Sequence, residues 1–534
     1  MQRRKFIQLG IGLAAAAALP PGCSSNTRTI KGKIVGANSS AGHLLRDKQF
    51  AAPAITLKKE MVIVGGGVSG LTAAWHLQQQ GIKDYLLLEL ENKPGGNSVS
   101  GENNISAYPW AAHYIPLPNN DLPEYLEFLQ QCGVVTGVDA AGLPVYNETH
   151  LCFDPQERLY INGRWQDGLV PQFGLPAAEI KQVEDFLKQM NEYRYKKGSD
   201  GKDAFAIPVN NSSTDAVFLA LDNMTMLQWM QQNGFTSKYL HEYVNYCSRD
   251  DFGTPHNKAS AWAGIHYYAS RKGKGANAHH SDVLTWPEGN GFLVKALMQH
   301  TEEKIQKNAL VTRIATTGNG IQVDYYDVLS AKTTRIEAKQ CIVSVPQFVA
   351  ARLLAEAERS QKVKQYFHYA PWMVANLTVN NLKERSGVPL SWDNVLHGSY
   401  SLGYVNATQQ LQQQDKPRRN LTYYQPLTSE DPVTERTKAQ NTPHAQWVEM
   451  ILADLEKVHP NIRSATEEIN IMLWGHAMIQ PLPGSIFGAA RKELSASINN
   501  RIHFAHTDIA GISIFEEAFY QGLNAAKKAL AATA

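Results

Sequence analysis

The chain has 534 residues, with 51 Lys+Arg against 49 Asp+Glu and a formal net charge of +2. At roughly 150 residues per domain this is several domains' worth of sequence, ample to bury a large core. Its 43% hydrophobic and 19% charged content excludes a disordered chain, and a balance so near neutral excludes a dedicated nucleic-acid binder.

The first 25 residues, MQRRKFIQLGIGLAAAAALPPGCSS, set Arg3 and Arg4 just before a short apolar stretch from Ile11 to Leu19. A charged start followed by so short an apolar run reads as a signal peptide rather than a membrane span. The run RRKFI resembles a twin-arginine (Tat-type) export signal; a general secretory signal or an uncleaved anchor is the alternative. Cys23 follows Leu19-Pro20-Pro21-Gly22, a degenerate lipoprotein box with Pro20 where Leu is usual. The expected location is periplasmic or exported, and a lipid on Cys23 is the one membrane attachment the sequence offers. Residues 26–60 are rich in Ser, Gly, Lys and Ala and read as a tether with some ordered contacts. Cys132, Cys152, Cys247 and Cys341 form no C-x-x-C pair and are too few for a disulfide framework. Burial as free thiols is expected, with a Cys132–Cys152 bridge as the alternative.

The folded part opens on Met61-Val62-Ile63-Val64, a β-like run leading into Gly65-Gly66-Gly67-Val68-Ser69-Gly70. Residues 71–80 follow as a helix ended by Gly81, then Tyr85 to Leu88 as a second strand with Glu89 at its end. Strand, G-x-G-x-x-G turn, helix, strand and acid form a dinucleotide-binding unit. Gly65 permits the tight turn, Gly67 lets the backbone approach a pyrophosphate, and Gly70 lets helix and strand pack closely. The helix N-terminus, with Ser69 in the turn just before it, offers N–H groups and partial positive charge to the phosphates, and Ser69 is a cofactor-binding candidate. Glu89 suits ribose hydroxyls. A second nucleotide site is not evident, because Gly273-Lys274-Gly275 follows basic residues rather than a strand. Electrons would then come from an organic small molecule rather than from NAD(P)H.

Lys93-Pro94-Gly95-Gly96-Asn97-Ser98 follows the second strand, and here the chain resembles the flavin-containing amine oxidoreductase superfamily. That group includes monoamine and polyamine oxidases, protoporphyrinogen oxidase and phytoene desaturases. In these relatives a Gly-Gly-Arg turn touches the FAD phosphates; Gly96 and Asn97 stand there in this chain, without the guanidinium. The likeness continues at Trp286-Pro287-Glu288-Gly289-Asn290-Gly291, at the strand of Val311, at Cys341-Ile342-Val343-Ser344-Val345-Pro346 and at Trp474-Gly475-His476-Ala477. It closes at Phe504-Ala505-His506-Thr507-Asp508 and Gly522-Leu523-Asn524-Ala525-Ala526. The resemblance implies an α/β fold with a Rossmann-like FAD-binding domain and a mixed sheet-and-helix substrate domain. It places the FAD domain at 61–112, 286–370 and 471–534, and the substrate domain at 113–285 and 371–470. It implies FAD held noncovalently, with Val311 meeting the adenine, Trp474 near the flavin ring and Asp508 bonding a ribityl or pyrophosphate-side group.

The implied activity is hydride transfer from an amine or a related C–H donor, with oxygen, a quinone or another acceptor taking the electrons. A desaturase-like or protoporphyrinogen-oxidase-like dehydrogenation of a hydrophobic substrate is the alternative within enzymes. A noncatalytic flavoprotein is the alternative outside them. Amine oxidases carry a lysine near the flavin; on Ala370-Pro371-Trp372-Met373-Val374-Ala375-Asn376-Leu377 the hand alignment puts Ala375 at that place. Ile514 stands where relatives have a cage aromatic. His113, in Tyr108-Pro109-Trp110-Ala111-Ala112-His113-Tyr114, and His476 are the acid–base candidates. Tyr267 and Tyr404 are expected to line the substrate cavity with Ile514, and Trp392-Asp393 is a further polar-aromatic cluster. Met226, Trp229 and Met230 read as core, and the basic run 194–202 as a solvated loop.

Overall fold

The computed structural model describes residues 29–318, 320–412 and 417–533. The export signal, with Arg3 and Arg4, and Cys23 lie outside the described residues.

Two sheets organise the chain. In the nucleotide-binding sheet the buried strand Ile55–Val64 runs parallel to Tyr85–Leu88 on one side and to Lys332–Val343 on the other. Val62, Ile63 and Val64 are almost fully buried, the continuous apolar signature of a parallel strand covered on both faces. Lys332–Val343 is shared along its length. Its first half pairs antiparallel with Ile321–Asp327, and its last three residues pair parallel with Ile502–Phe504. The C-terminal strand thereby returns to the first motif. Helix Val68–Gln79 packs on the last helix, Phe515–Ala531, through Trp75, Phe128 and Phe519, with ring centroids 5.4–5.7 Å apart.

The second sheet has eight strands, in the order Ile34–Gly36, Thr466–Ile479, Tyr369–Asn380, Arg418–Pro426, Tyr404–Asn406, Asp393–Leu396, Glu157–Ile161 and Arg164–Asp167. One face packs on helix His444–Leu455, and the other on a core that includes helices Ala177–Arg194, Lys238–Phe252 and Ala261–Ala269. Met226, Trp229 and Met230 belong to that core, as expected.

One segment is sharpened and one boundary differs from the sequence reading. The tether's ordered contacts amount to secondary structure within residues 29–60, where Ile34–Gly36 adds a parallel edge strand beside Ile471–Leu473 and Ser39–Asp47 is a helix. Weak periodicity hid these short pieces, and the strand's partner lies more than 400 residues away. The boundary that differs is at 471–479, which continues a substrate-sheet strand rather than opening the last nucleotide-domain segment. Cys132, Cys152, Cys247 and Cys341 are free thiols. Among the described residues no helix is long and apolar enough to cross a membrane.

Candidate active site

The glycine turn forms as its chemistry requires. Gly65 takes a φ of +102° and donates its N–H to Leu88 O at 2.9 Å. Gly67 begins helix Val68–Gln79, and no side chain caps that end. A Cβ on Gly96 would stand 3.3 Å from Gly67 Cα, and one on Gly67 would stand 4.0 Å from Gly96 Cα. Two glycine backbones thus wall a cleft at an uncapped helix N-terminus, a cradle that side chains would fill and an anion fits. A Cβ on Gly70 would lie 1.9 Å from Gly65 O. Ser69 is buried in the first helical turn, with its carbonyl pressed against Gly522 of the last helix.

Glu89 is 9% exposed, and burial pushes its carboxyl up to about 7. One oxygen accepts from Gly66 N–H at 2.5 Å and the other from Glu91 N–H at 2.8 Å. It therefore braces the turn as well as offering a carboxyl to a ribose. Ala309 N–H donates to Glu89 O at 2.8 Å, which brings the strand of buried Val311 alongside. The uncapped helix end, the glycine cleft and the acid together fit a dinucleotide such as FAD.

Two expected cofactor contacts are engaged within the protein. The Asn97 side-chain amide donates to Ala477 O, and the Asn97 main-chain carbonyl accepts from Ala112 N–H at 3.1 Å. Asn97 ties the glycine turn to the Trp474 strand. Asp508 is 1% exposed; one oxygen accepts from Tyr369 Oη at 2.5 Å and Gln347 N–H at 2.8 Å, and the other faces His506 Nδ1 at 3.0 Å. Burial alone would raise this carboxyl, but His506 and these donors hold it below the usual carboxylate range. Asp508 braces the closing turn through one oxygen, while its other oxygen has no hydrogen-bond donor. Buried Arg491 donates to its main-chain oxygen, a contact with no sequence signal.

Where the two sheets meet there is a cavity of about 160 Å³ whose walls include Asn97, His113, Trp372, Val374, Trp474 and Ile514. Strand parity decides which residues reach it. Trp372 pairs with Trp474, and Val374 with Tyr424, so these share one face. Ala375 points the other way, into the apolar layer with Tyr423 and Ile471. The position facing the cavity is Val374, one residue from the hand alignment, and a one-residue slip reverses the face. Trp474 Nε1 donates to Trp110 O at 2.9 Å. Ile514 lines the cavity at the start of the last helix.

A second chamber of about 280 Å³ adjoins the first, and His113, Tyr114, Asp250, Arg271 and Tyr424 line both. His113 sits 4.7 Å from the Tyr424 ring and 5.5 Å from Trp392. Burial pushes its imidazole down to about 4, so it is neutral at pH 7. Tyr267 lines the chamber, with Arg271 stacked 4.7 Å from its ring centroid. Glu157, Asp250 and Asp393 supply carboxyls from three separate elements. Burial pushes Asp250 up to about 7 and Glu157 to about 6, and holds Asp393 well above the carboxylate range. Sequence reasoning missed Glu157, Asp250 and Arg271, because nothing local marks a strand acid, a helix acid and a loop arginine as neighbours. Arg194, expected in a solvated loop, reaches the chamber and donates to Tyr268 O at 2.9 Å.

Two expected site residues stand elsewhere. Tyr404 is fully buried, with its hydroxyl bonded to His459 Nε2 at 2.6 Å and to Arg158 Nη2 at 3.1 Å. Its strand lies in the substrate sheet, but its side chain points to the helix face. His476 lines neither cavity; it stacks on Phe348 with centroids 4.4 Å apart.

A Rossmann-like nucleotide domain joined to a substrate sheet, with a cavity at their junction, defines the FAD-dependent amine oxidase class of fold. Residues 68–530 match the model of the flavin containing amine oxidoreductase family, and the chain belongs to that family, with FAD as its cofactor. It is 23% identical over 288 residues to prenylcysteine oxidase 1 of Bos taurus, a match covering 52% of this chain and 55% of that one. A cofactor-binding redesign of putrescine oxidase superposes with a TM-score of 0.65 at 13% identity, covering 89% of this chain and all of that one. Cyclohexylamine oxidase from Brevibacterium oxydans IH-35A gives 0.62 at 14% identity, with the same coverage.

Proposed function

We propose that this chain is an exported FAD-dependent oxidoreductase that takes hydride from an amine or related C–H donor and passes the electrons to oxygen, a quinone or another acceptor. The observation that carries the reading is the aromatic cavity of Trp372, Tyr424 and Trp474 set between the nucleotide motifs and an acid-bearing chamber. FAD, when bound, supplies the hydride acceptor. The chain's own residues bind the donor, exclude water and move its proton. Aromatic faces attract a cation and keep the cavity dry. Neutral His113 offers a lone pair and an N–H without adding positive charge. An ammonium must lose its proton before it can yield hydride. Asp250, which lines both cavities with a carboxyl near 7, is placed to take it.

The test is anaerobic mixing of the yellow holoprotein with amines, polyamines and isoprenoids. An amine should bleach the flavin. Bleaching by isoprenoids alone would replace the reading with a desaturase-type one, and no bleaching at all would favour a noncatalytic flavoprotein. Export is tested by changing Arg3 and Arg4 to Lys, which should block a twin-arginine route; unaffected export would assign the general secretory route.

A further inference from the structure

Residues 34–47 precede the nucleotide motif, yet they touch three walls of the cofactor site. The family model begins at residue 68, so that match gives this segment no role. Its strand, Ile34–Gly36, lies beside Ile471–Leu473, immediately before Trp474. Asn38 then caps helix Ser39–Asp47. Its side chain accepts from Ala41 N–H at 3.1 Å, and its main-chain N–H donates to Glu91 Oε1 at 2.6 Å. The Glu91 N–H in turn donates to Glu89 Oε1 at 2.8 Å. The helix is thereby tied to the acid at the end of the second strand, where a dinucleotide fold holds the ribose of the adenosine half. Gly42 lies against Leu90, and an added Cβ there would stand 3.7 Å from Leu90 Cδ2. Ala41 is buried, and Leu45 packs on the cluster that holds Leu88 and Val311. A helix of nine residues with an internal glycine is marginal in water by itself, so its order depends on these contacts.

We propose that residues 34–47 form a clasp on the adenosine end of the FAD site, anchored on the substrate sheet and closed on the turn that carries Glu89. Glu89 is braced from two sides, by Gly66 N–H in the cradle and by Glu91 N–H next to the clasp. A bound ribose and the closed helix therefore favour the same position of one carboxyl. The two are linked: a ligand that prefers the closed arrangement steadies the helix, and a loosened helix weakens retention of that ligand. Release of the cofactor requires the helix to lift from Glu91 and Leu90. The role is binding alone, with no bond made or broken.

Amide hydrogen exchange tests the clasp on the wild-type holoprotein, on its apoprotein, and on apoprotein given either half of the cofactor. Amides of residues 41–47 should exchange about tenfold more slowly in the holoprotein than in the apoprotein. ADP should restore that protection and FMN should not. Exchange that FAD leaves unchanged, or no greater protection by ADP than by FMN, would overturn the proposal. A second measurement follows FAD release from the holoprotein by flavin fluorescence after dilution. Asn38→Ala removes the cap and Leu45→Ala the apolar contact, and each should release FAD about fivefold faster. Release unmoved in both variants, with their folds intact by circular dichroism, would also overturn the clasp. The exchange measurement needs no variant, so it decides the matter even where a substitution prevents folding.

Discussion

The cofactor cradle and the substrate chamber are built by opposite means. The cradle is mostly backbone: two glycine Cα atoms, an uncapped helix end and one acid, Glu89, on the next strand. The chamber is side chains, with Glu157, Asp250, Tyr267, Asp393 and Tyr424 coming from five separate elements or loops. A backbone site is specified within about thirty residues by spacing alone. A side-chain site is specified by which residues the tertiary fold turns toward one another. The cradle should therefore fail through steric change and the chamber through charge change.

Substitutions can break that contrast, and the largest effect belongs to the cradle. Gly70→Val should lose FAD retention and about 3 kcal/mol of stability, because even a Cβ would stand 1.9 Å from Gly65 O. Denaturant titration and the visible flavin spectrum measure both. On the substrate sheet, Ala375→Lys should cost about 3 kcal/mol by burying an unpaired charge in the apolar layer. Val374→Lys, one residue away, should be tolerated better because it faces the cavity. Equal damage from the two would refute the strand parity.

A pH-dependent effect of similar size tests how dry the junction is. The folded His113 imidazole titrates at about 4, below its ordinary value. In the unfolded chain it takes up a proton below about pH 6.5, whereas the folded chain refuses one until about pH 4. Its contribution to stability is therefore full above pH 6.5 and is lost as pH falls toward 4. Relative to His113→Gln, wild-type stability should fall across that window by up to about 1.4 kcal/mol per pH unit. A pH-independent difference would mean that the ring is well solvated. The smallest effect is expected for Tyr404→Phe. Loss of its bonds to His459 and Arg158 should cost about 1 kcal/mol. The KM for any substrate should not move; a changed KM would return Tyr404 to the cavity.

How far the sequence could be read follows the same division. Gly65, Gly67, Gly70 and Glu89 were legible because each does its work within one local turn. Asn97 and Asp508 were found at the right turns, but their partners were not. Ala477 lies 380 residues from Asn97, and Tyr369 lies 139 residues from Asp508. Ala375 was misplaced by one residue, which in a strand exchanges a cavity wall for an apolar core. His476 was made an acid–base candidate by its neighbourhood to Trp474, and its ring stacks on Phe348 outside both cavities.

By itself the sequence determined the nucleotide unit, the α/β class and the order of the flavin motifs, because short-range spacing and glycine sterics are properties of the local chain. Tertiary structure alone decided that His113 joins two cavities, that Val374 rather than Ala375 faces the first, and that Glu157, Asp250 and Asp393 share the second. Those are contacts between distant segments. Their physical content, desolvation and charge proximity, does not exist until the two sheets close over it.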